Sequence, residues 1–293
     1  MAKALKKGTG GLLLTMPSAF MFLALSIVPL CMLVLFSFLK GNIRPDGSIV
    51  GYTLGNLRKI FSSPIFPSLM WKSVLIGVFV TAACVVLAYP TAWCIAKVVK
   101  PRNRNVLVML AIIPFFTSQL LLIYSMMVIL QAKGILMSAL GVLRLADPSS
   151  SILYSMPAVV AILVYEYLPY MVLCLYSSLE GIDDNLIYAS KSLGAGKVTT
   201  FVNVVFPMST PGLLSGIMLV LVPVTGSFVE PTLAGGPKGM MVGSLINSQF
   251  TTVLNMGYGA ALSFAFLIVI SAIMAIIRSL ARLANRRIGG LEA

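Results

Sequence analysis

Histidine is absent from this chain, and acidic residues are scarce, with Asp and Glu together numbering 8 in 293 positions. Without an imidazole there is no side chain that titrates unperturbed near neutral pH and no His-based catalytic or zinc site. Cysteine is sparse as well. Cys31, Cys84, Cys94 and Cys174 all fall inside apolar runs with no C-x-x-C spacing, which excludes a structural thiolate metal site and makes each thiol a small hydrophobe. No nucleophile–base pair or paired-carboxylate motif is visible, so a membrane enzyme or scaffold is disfavoured. Charge of either sign is rare, at 10% of residues.

Apolar residues fill that space. They make up 59% of the chain, and the mean hydropathy is +1.00, far outside the range of soluble domains. About 20 apolar residues cross the hydrocarbon as a helix. Six segments qualify, at about 12–39, 69–99, 106–130, 152–179, 207–229 and 256–284. None shows the strict alternation of a membrane barrel, so the expectation is an all-α membrane protein with six transmembrane helices in one domain, 1–293. The first segment follows Lys3, Lys6 and Lys7 but is far longer than a signal-peptide apolar core of about 7–15 residues, so it reads as a retained anchor.

Orientation follows from Lys and Arg, which are enriched in cytoplasmic loops. With the N-terminus inside, Lys3, Lys6, Lys7, Lys97, Lys100, Arg102, Arg104, Lys191, Lys197, Arg278, Arg282, Arg286 and Arg287 fall on the inner side, 13 of the 21 basic residues. Both termini are therefore expected in the cytoplasm. The net charge of +13 reflects topology and attraction to anionic lipid, not nucleic-acid binding.

Between the spans, the first outer loop, 40–68, is rich in Gly, Pro, Ser and Asn, with a short helix expected around Leu54 to Phe61. An apolar helical stripe from Ile135 to Leu145 is too short to span and is expected at the outer interface. The longest inner loop is 180–205, and a second long loop, 230–255, lies outside with a short helix within "MMVGSLINSQFTTVL".

Within the inner loop, "KSLGAGKVTT" (191–200) superficially suggests a nucleotide-phosphate loop. That motif needs Gly at 191 and Ser or Thr at 198, where the chain has Lys191 and Val198. Extended to Tyr188–Gly216, the segment instead resembles the signature loop of ABC-importer permeases, E-A-A-x-x-x-G-A followed after five residues by F-x-x-I-x-L-P-x-x-x-P-G-I-x-x-G. Ala189, Gly194, Ala195, Phe201, Pro207, Pro211, Gly212 and Gly216 match at their spacing, with Val204, Phe206 and Leu213 as apolar substitutions. Tyr188 replaces the leading Glu, so any carboxylate contact must come from Asp183 or Asp184. These acids also suit the N-terminus of a helix running to Leu193, and Gly194 permits the turn that follows. Lys197 is read as a solvated or partner-facing charge, and Pro207 and Pro211 as helix starts and kinks.

The likeness extends over Pro114 to Arg287, where the chain is similar to the spermidine/putrescine permease branch. The resemblance implies the type I ABC importer permease fold. It also implies a location in a prokaryotic inner membrane, a coupling loop that docks on a separate ATPase present in two copies, a second, homologous but non-identical permease subunit, and a soluble periplasmic or extracellular solute-binding protein. No cofactor is expected in this chain, ATP and Mg being bound by the ATPase.

For substrate, a carboxylate at membrane depth costs about 2.5–3.5 kcal/mol on insertion scales and is a functional candidate by default. Glu166 lies mid-span beside Tyr165, Tyr167 and Tyr170, and Glu230 follows Phe228 at the outer end of its span. Carboxylates and aromatic faces suit an ammonium, hence a polyamine or related cationic amine. The structural alternative for Glu166 is a protonated carboxyl bonded between helices, or one paired with a partner subunit, and Glu230 could equally face the binding protein or water. Gln119, Tyr124 and Ser227 read as interhelical bonding groups. Other solutes of the same branch, such as an opine, an amino-acid derivative or a phosphonate, stay open. So does an ion-coupled secondary carrier using Glu166, although that reading leaves the inner loop without a purpose.

Overall fold

The computed structural model describes residues 9–41, 51–142 and 151–289. The described residues are helical apart from loops and one antiparallel bridge, Leu39 with Tyr52. In chain order the helices are α1 (Thr9–Ser37), α2 (Gly55–Ser62), α3 (Ile65–Trp93), α4 (Pro101–Ile112), α5 (Gln119–Leu130), α6 (Ile135–Val142), α7 (Met156–Glu180), α8 (Asp184–Ser192), α9 (Lys197–Thr200), α10 (Phe206–Gly226), α11 (Val229–Ala234), α12 (Val242–Thr251) and α13 (Met256–Gly289). Six stretches are long and apolar enough to cross a membrane. Lys3, Lys6 and Lys7, and the Leu145 end of the short stripe, lie outside the described residues.

Two compact units result, one comprising α1, α2 and Ile246–Ile268, the other Ile65–Leu245 and the chain from Val269 onward. In the first, α1 exposes Phe20, Met21, Phe22 and Leu25, as a lipid-facing helix does. Asn56 ties α2 to the end of α1 by donating its amide to the Ser37 and Leu39 carbonyls at 3.1 and 2.7 Å. The Lys59 ammonium stands 4.5 Å over the Tyr258 ring.

In the second unit α3, α7 and α10 pack together, burying Val80, Cys84, Ala88 and Ala92 of α3, Leu163, Met171, Leu175 and Leu179 of α7, and Val220 and Val224 of α10. In lipid, close packing replaces the hydrophobic effect as the force between helices, and small residues permit it. Gly212 and Gly216, one helical turn apart, do so for α10. A Cβ on Gly212 would stand 2.4 Å from the Cys174 carbonyl oxygen, and one on Gly216 would stand 2.5 Å from the Met171 sulfur. Two π turns interrupt this bundle, Cys94–Val98 after α3 and Phe201–Val205 before α10.

One expected span differs. The segment 106–130 is not one helix: α4 gives way to a 3-10 turn at Ile113–Phe116, extended backbone follows at Thr117, and α5 begins at Gln119. Pro114 is the local cause, since it lacks the N–H that would continue the ladder and its ring crowds the preceding turn. Such breaks are tolerated at membrane depth where they line a protein cavity, and this one does.

Candidate functional site

The cavity at the break measures about 270 Å³ and is walled by Pro114, Thr117 and Gln119 on one side and by Glu166, Tyr167, Pro169 and Tyr170 of α7 on the other. Pro169 lies inside α7, so the carbonyl one turn earlier loses its amide donor. The Tyr167 and Tyr170 rings lie 5.8 Å apart, tilted by 32°.

Glu166 reaches this cavity half-buried, and its Oε2 is buried with no hydrogen-bond partner. It interacts electrostatically with Glu230 and Gln119. Glu230 is 1% exposed, which goes against the alternative that it faces water or a soluble partner. The short helix α11 turns back into the bundle and delivers it inward. Its Oε1 accepts from Gln119 Nε2 at 2.9 Å and its Oε2 accepts from the Ser227 hydroxyl. Two carboxyl groups therefore meet beside one aromatic-walled cavity, with both oxygens of Glu230 accepting protein hydrogen bonds and one oxygen of Glu166 left open.

Not every expected residue joins them. Tyr165 is 42% exposed and lies off the cavity, because one residue along α7 is about 100° around its axis. Phe228, 43% exposed at the cap of α11, also lies off it, as does Tyr124, 52% exposed. Gln119 and Ser227 turn out to organise the acid pair; the signal available in sequence was a Pro-Phe-Phe-Thr-Ser stretch preceding the Gln.

At the opposite end of α7 stands the loop 180–205. Asp183 caps α8, its Oδ1 accepting the Asn185 N–H at 2.9 Å, which satisfies one of the orphan amides of a helix start. Asp184 occupies the first turn and pairs with Lys97 at 2.7 Å. Gly194 has φ +83°, a left-handed value that glycine adopts without a Cβ penalty, and it reverses the chain toward α9. The Ser190 and Thr200 hydroxyls, 3.0 Å apart, join α8 to α9. Phe201 opens the π turn and meets Tyr89 edge-on at 5.3 Å. Pro207 sits in the first turn of α10 and Pro211 inside it.

The loop surface is unusual for a polar connection. Leu193 is 89%, Val198 76% and Tyr188 61% exposed, with Ala189, Gly194 and Lys197 exposed beside them and Ala195 half-buried. The Lys191 ammonium stands 5.8 Å from the Tyr188 ring. An exposed apolar tip ringed by polar groups marks an interaction surface. In sequence Leu193 stands only as the end of the expected helix and Val198 only as a departure from the phosphate-loop motif, and neither position signals this exposure.

Comparisons with known proteins agree with this architecture. The family described as "binding-protein-dependent transport system inner membrane component" matches residues 88–290. The spermidine/putrescine transport system permease protein PotB of Escherichia coli (strain K12) is 35% identical over 263 residues, covering 89% of this chain and 94% of that protein. PotB of Haemophilus influenzae is 34% identical over 236 residues, 80% and 82% of the two chains. Among solved structures, a chain of the bacterial alginate ABC transporter in complex with alginate pentasaccharide-bound periplasmic protein superposes with TM-score 0.75 over 93% of this chain and 94% of that one, at 13% identity. This last likeness bears on fold alone. With the family match covering more than half of its length and PotB aligned almost end to end, the chain belongs to the binding-protein-dependent transport system inner membrane components, the permease subunits of ABC importers.

Proposed function

We propose that this chain is a permease subunit of an ATP-driven importer of polyamines, spermidine or putrescine, or of a closely related cationic amine. The observation that carries the reading is the meeting of Glu166 and Glu230 at a cavity walled by Tyr167 and Tyr170. An ammonium brings three N–H donors and a positive charge; the open Oε2 of Glu166 takes one of those donors, and the tyrosine faces stabilise the charge by cation–π attraction. Gln119 and Ser227 hold Glu230 in place so that its charge acts on the cavity at a fixed position. Similarity to proteins named as spermidine/putrescine permeases supports the same solute class.

In this reading both termini are cytoplasmic, the loop 180–205 faces an ATPase subunit present in two copies, and a second permease chain completes the pathway. A soluble binding protein delivers the solute from the other side of the inner membrane. ATP and Mg are bound by the ATPase, so the present chain contributes contacts, not covalent chemistry. A ligand-driven change requires contacts that differ between two states, and the loop supplies the surface on which the ATPase acts.

The test is native mass spectrometry of the complex from gentle detergent, followed by uptake of labelled spermidine into proteoliposomes. Two ATPase copies, two permease chains and ATP-dependent spermidine uptake are expected. A homo-oligomer without ATPase overturns the importer assignment, and uptake of a phosphonate or amino-acid derivative in preference to spermidine overturns the substrate.

A further inference from the structure

A half-buried ion pair connects the loop to the bundle at a place that the permease motif does not include. Lys97 lies in the π turn Cys94–Val98, and only 8% of its side chain is exposed. Its ammonium donates to Asp184 Oδ1 at 2.7 Å and to the Ile182 carbonyl at 2.6 Å. Both acceptors belong to the start of α8, one a side chain and one the backbone of the turn that leads into it. Among the described residues this is the one ion pair.

The far end of the loop is tied to the same long helix. Tyr89, two turns before Lys97, shares a hydrogen bond with Ser209 of α10 at 2.6 Å and packs against Phe201, the first residue after α9. The loop is also clipped across its middle by Ser190 and Thr200. Displacement of α8 and α9 therefore reaches α3 at two points, whereas covalent continuity leads only into α7 and α10.

The two attachments differ in kind. The Tyr89 contact is an aromatic packing of the bundle itself. The Lys97 contact is a charge-assisted pair, stronger than a neutral hydrogen bond, in which the buried partner depends on a carboxylate that is 55% exposed at its other edge. Losing that carboxylate leaves a buried cation with a carbonyl alone, a costly arrangement. A π turn commonly marks a functional position in a helix, and here it aims Lys97 at the loop.

We infer that Lys97 is a positioning residue for coupling: through Asp184 and the Ile182 carbonyl it holds α8 to the end of α3, so that movement imposed on the loop is transmitted to α3. This inference rests on the importer reading. It is separable from that reading, because wild-type uptake tests the importer and the ratio of ATP hydrolysed to solute moved tests the link.

The experiment reconstitutes the full complex with wild type, Lys97→Met, Asp184→Asn and the double variant, and measures uptake and ATP hydrolysis on the same vesicles, with complex assembly checked by size-exclusion. Lys97→Met is expected to assemble normally, retain ATP hydrolysis within about twofold, and use at least fivefold more ATP per solute. Asp184→Asn is expected to shift the ratio in the same direction by less, since the Ile182 carbonyl remains. The double variant should be no worse than Lys97→Met, as required of two residues acting through one contact. An unchanged ratio in Lys97→Met overturns the inference, as does an equal loss of hydrolysis and uptake, which marks a structural role only. If Lys97→Met fails to assemble, Lys97→Arg and Asp184→Asn decide by the same ratio. Absence of uptake by wild type overturns the importer reading and this inference with it.

Discussion

Gln119 and Glu230, 111 positions apart in sequence, meet at 2.9 Å where the third apolar segment breaks. The contact links the first residue of α5 to the short helix α11, and it leaves the Glu230 carboxyl satisfied on Oε1 by the amide and on Oε2 by Ser227. Replacing Gln119 with Leu strands Oε1 in a buried setting, where an unmet acceptor costs about 1–3 kcal/mol. A lower melting temperature of the assembled complex together with a raised KM for the cationic solute is expected. Unchanged values of both would remove Gln119 from the site.

Glu166 differs because its Oε2 has no protein partner to lose. Glu166→Gln preserves shape and removes charge, so thermal stability should hold while uptake of a divalent or trivalent amine falls at least tenfold, equivalent to about 1.4 kcal/mol. Wild-type uptake kinetics in this variant would assign Glu166 a structural role.

Gly194 and Gly212 make opposite demands on a substituted side chain. At Gly194 a Cβ meets nothing within 4 Å, but φ is +83°. The penalty there is backbone strain, about 1–2 kcal/mol for an ordinary L-residue, and a β-branched side chain fits worst. Gly194→Val should abolish transport and leave membrane insertion intact, whereas Gly194→Asn, which tolerates the left-handed region, should retain much of it. Equal uptake by the Val variant and wild type would sink the assignment of this turn to ATPase docking.

At Gly212 the space itself is missing. Since a Cβ would stand 2.4 Å from the Cys174 carbonyl and from the Ser178 hydroxyl oxygen, Gly212→Ala forces α10 away from α7. Overpacking of this kind costs about 1–3 kcal/mol. The expected result is reduced yield and a lower melting temperature of the complex; full stability of Gly212→Ala would contradict the packing described.

Much of this was legible from local pattern. The apolar runs that became α3, α7 and α10 announce themselves because lipid requires continuous hydrophobicity, and the loop's Asp183 cap and Gly194 turn are spelled in adjacent residues. The break at Ile113–Phe116 was hidden because Ile113, Phe115 and Phe116 keep hydropathy high while Pro114 changes the backbone. The burial of Glu230 was not legible, since position along a span says how deep a residue lies only if the chain runs straight, and the short helix α11 follows a separate turn after α10. The Lys97–Asp184 pair joins residues 87 apart, a separation across which periodicity carries no information. Tyr165 and Tyr167 flank Glu166 symmetrically in sequence, yet a helix sends neighbours to different sides.

The two π turns carry a consequence for how this chain can vary in length. Each accommodates one residue beyond the α-helical count, at Cys94–Val98 and Phe201–Val205, and such bulges can relax to regular helix when a residue is removed. Deleting one residue at Phe201–Val205, which lies between α9 and α10, closes the turn to regular helix and spares the flanking residues the rotation of about 100° that the loss of a residue from a regular helix imposes. The Phe201–Val205 turn is thus the place where the loss of a residue leaves the phase between loop and bundle unchanged, while the same change within α7 would carry Glu166 away from its cavity.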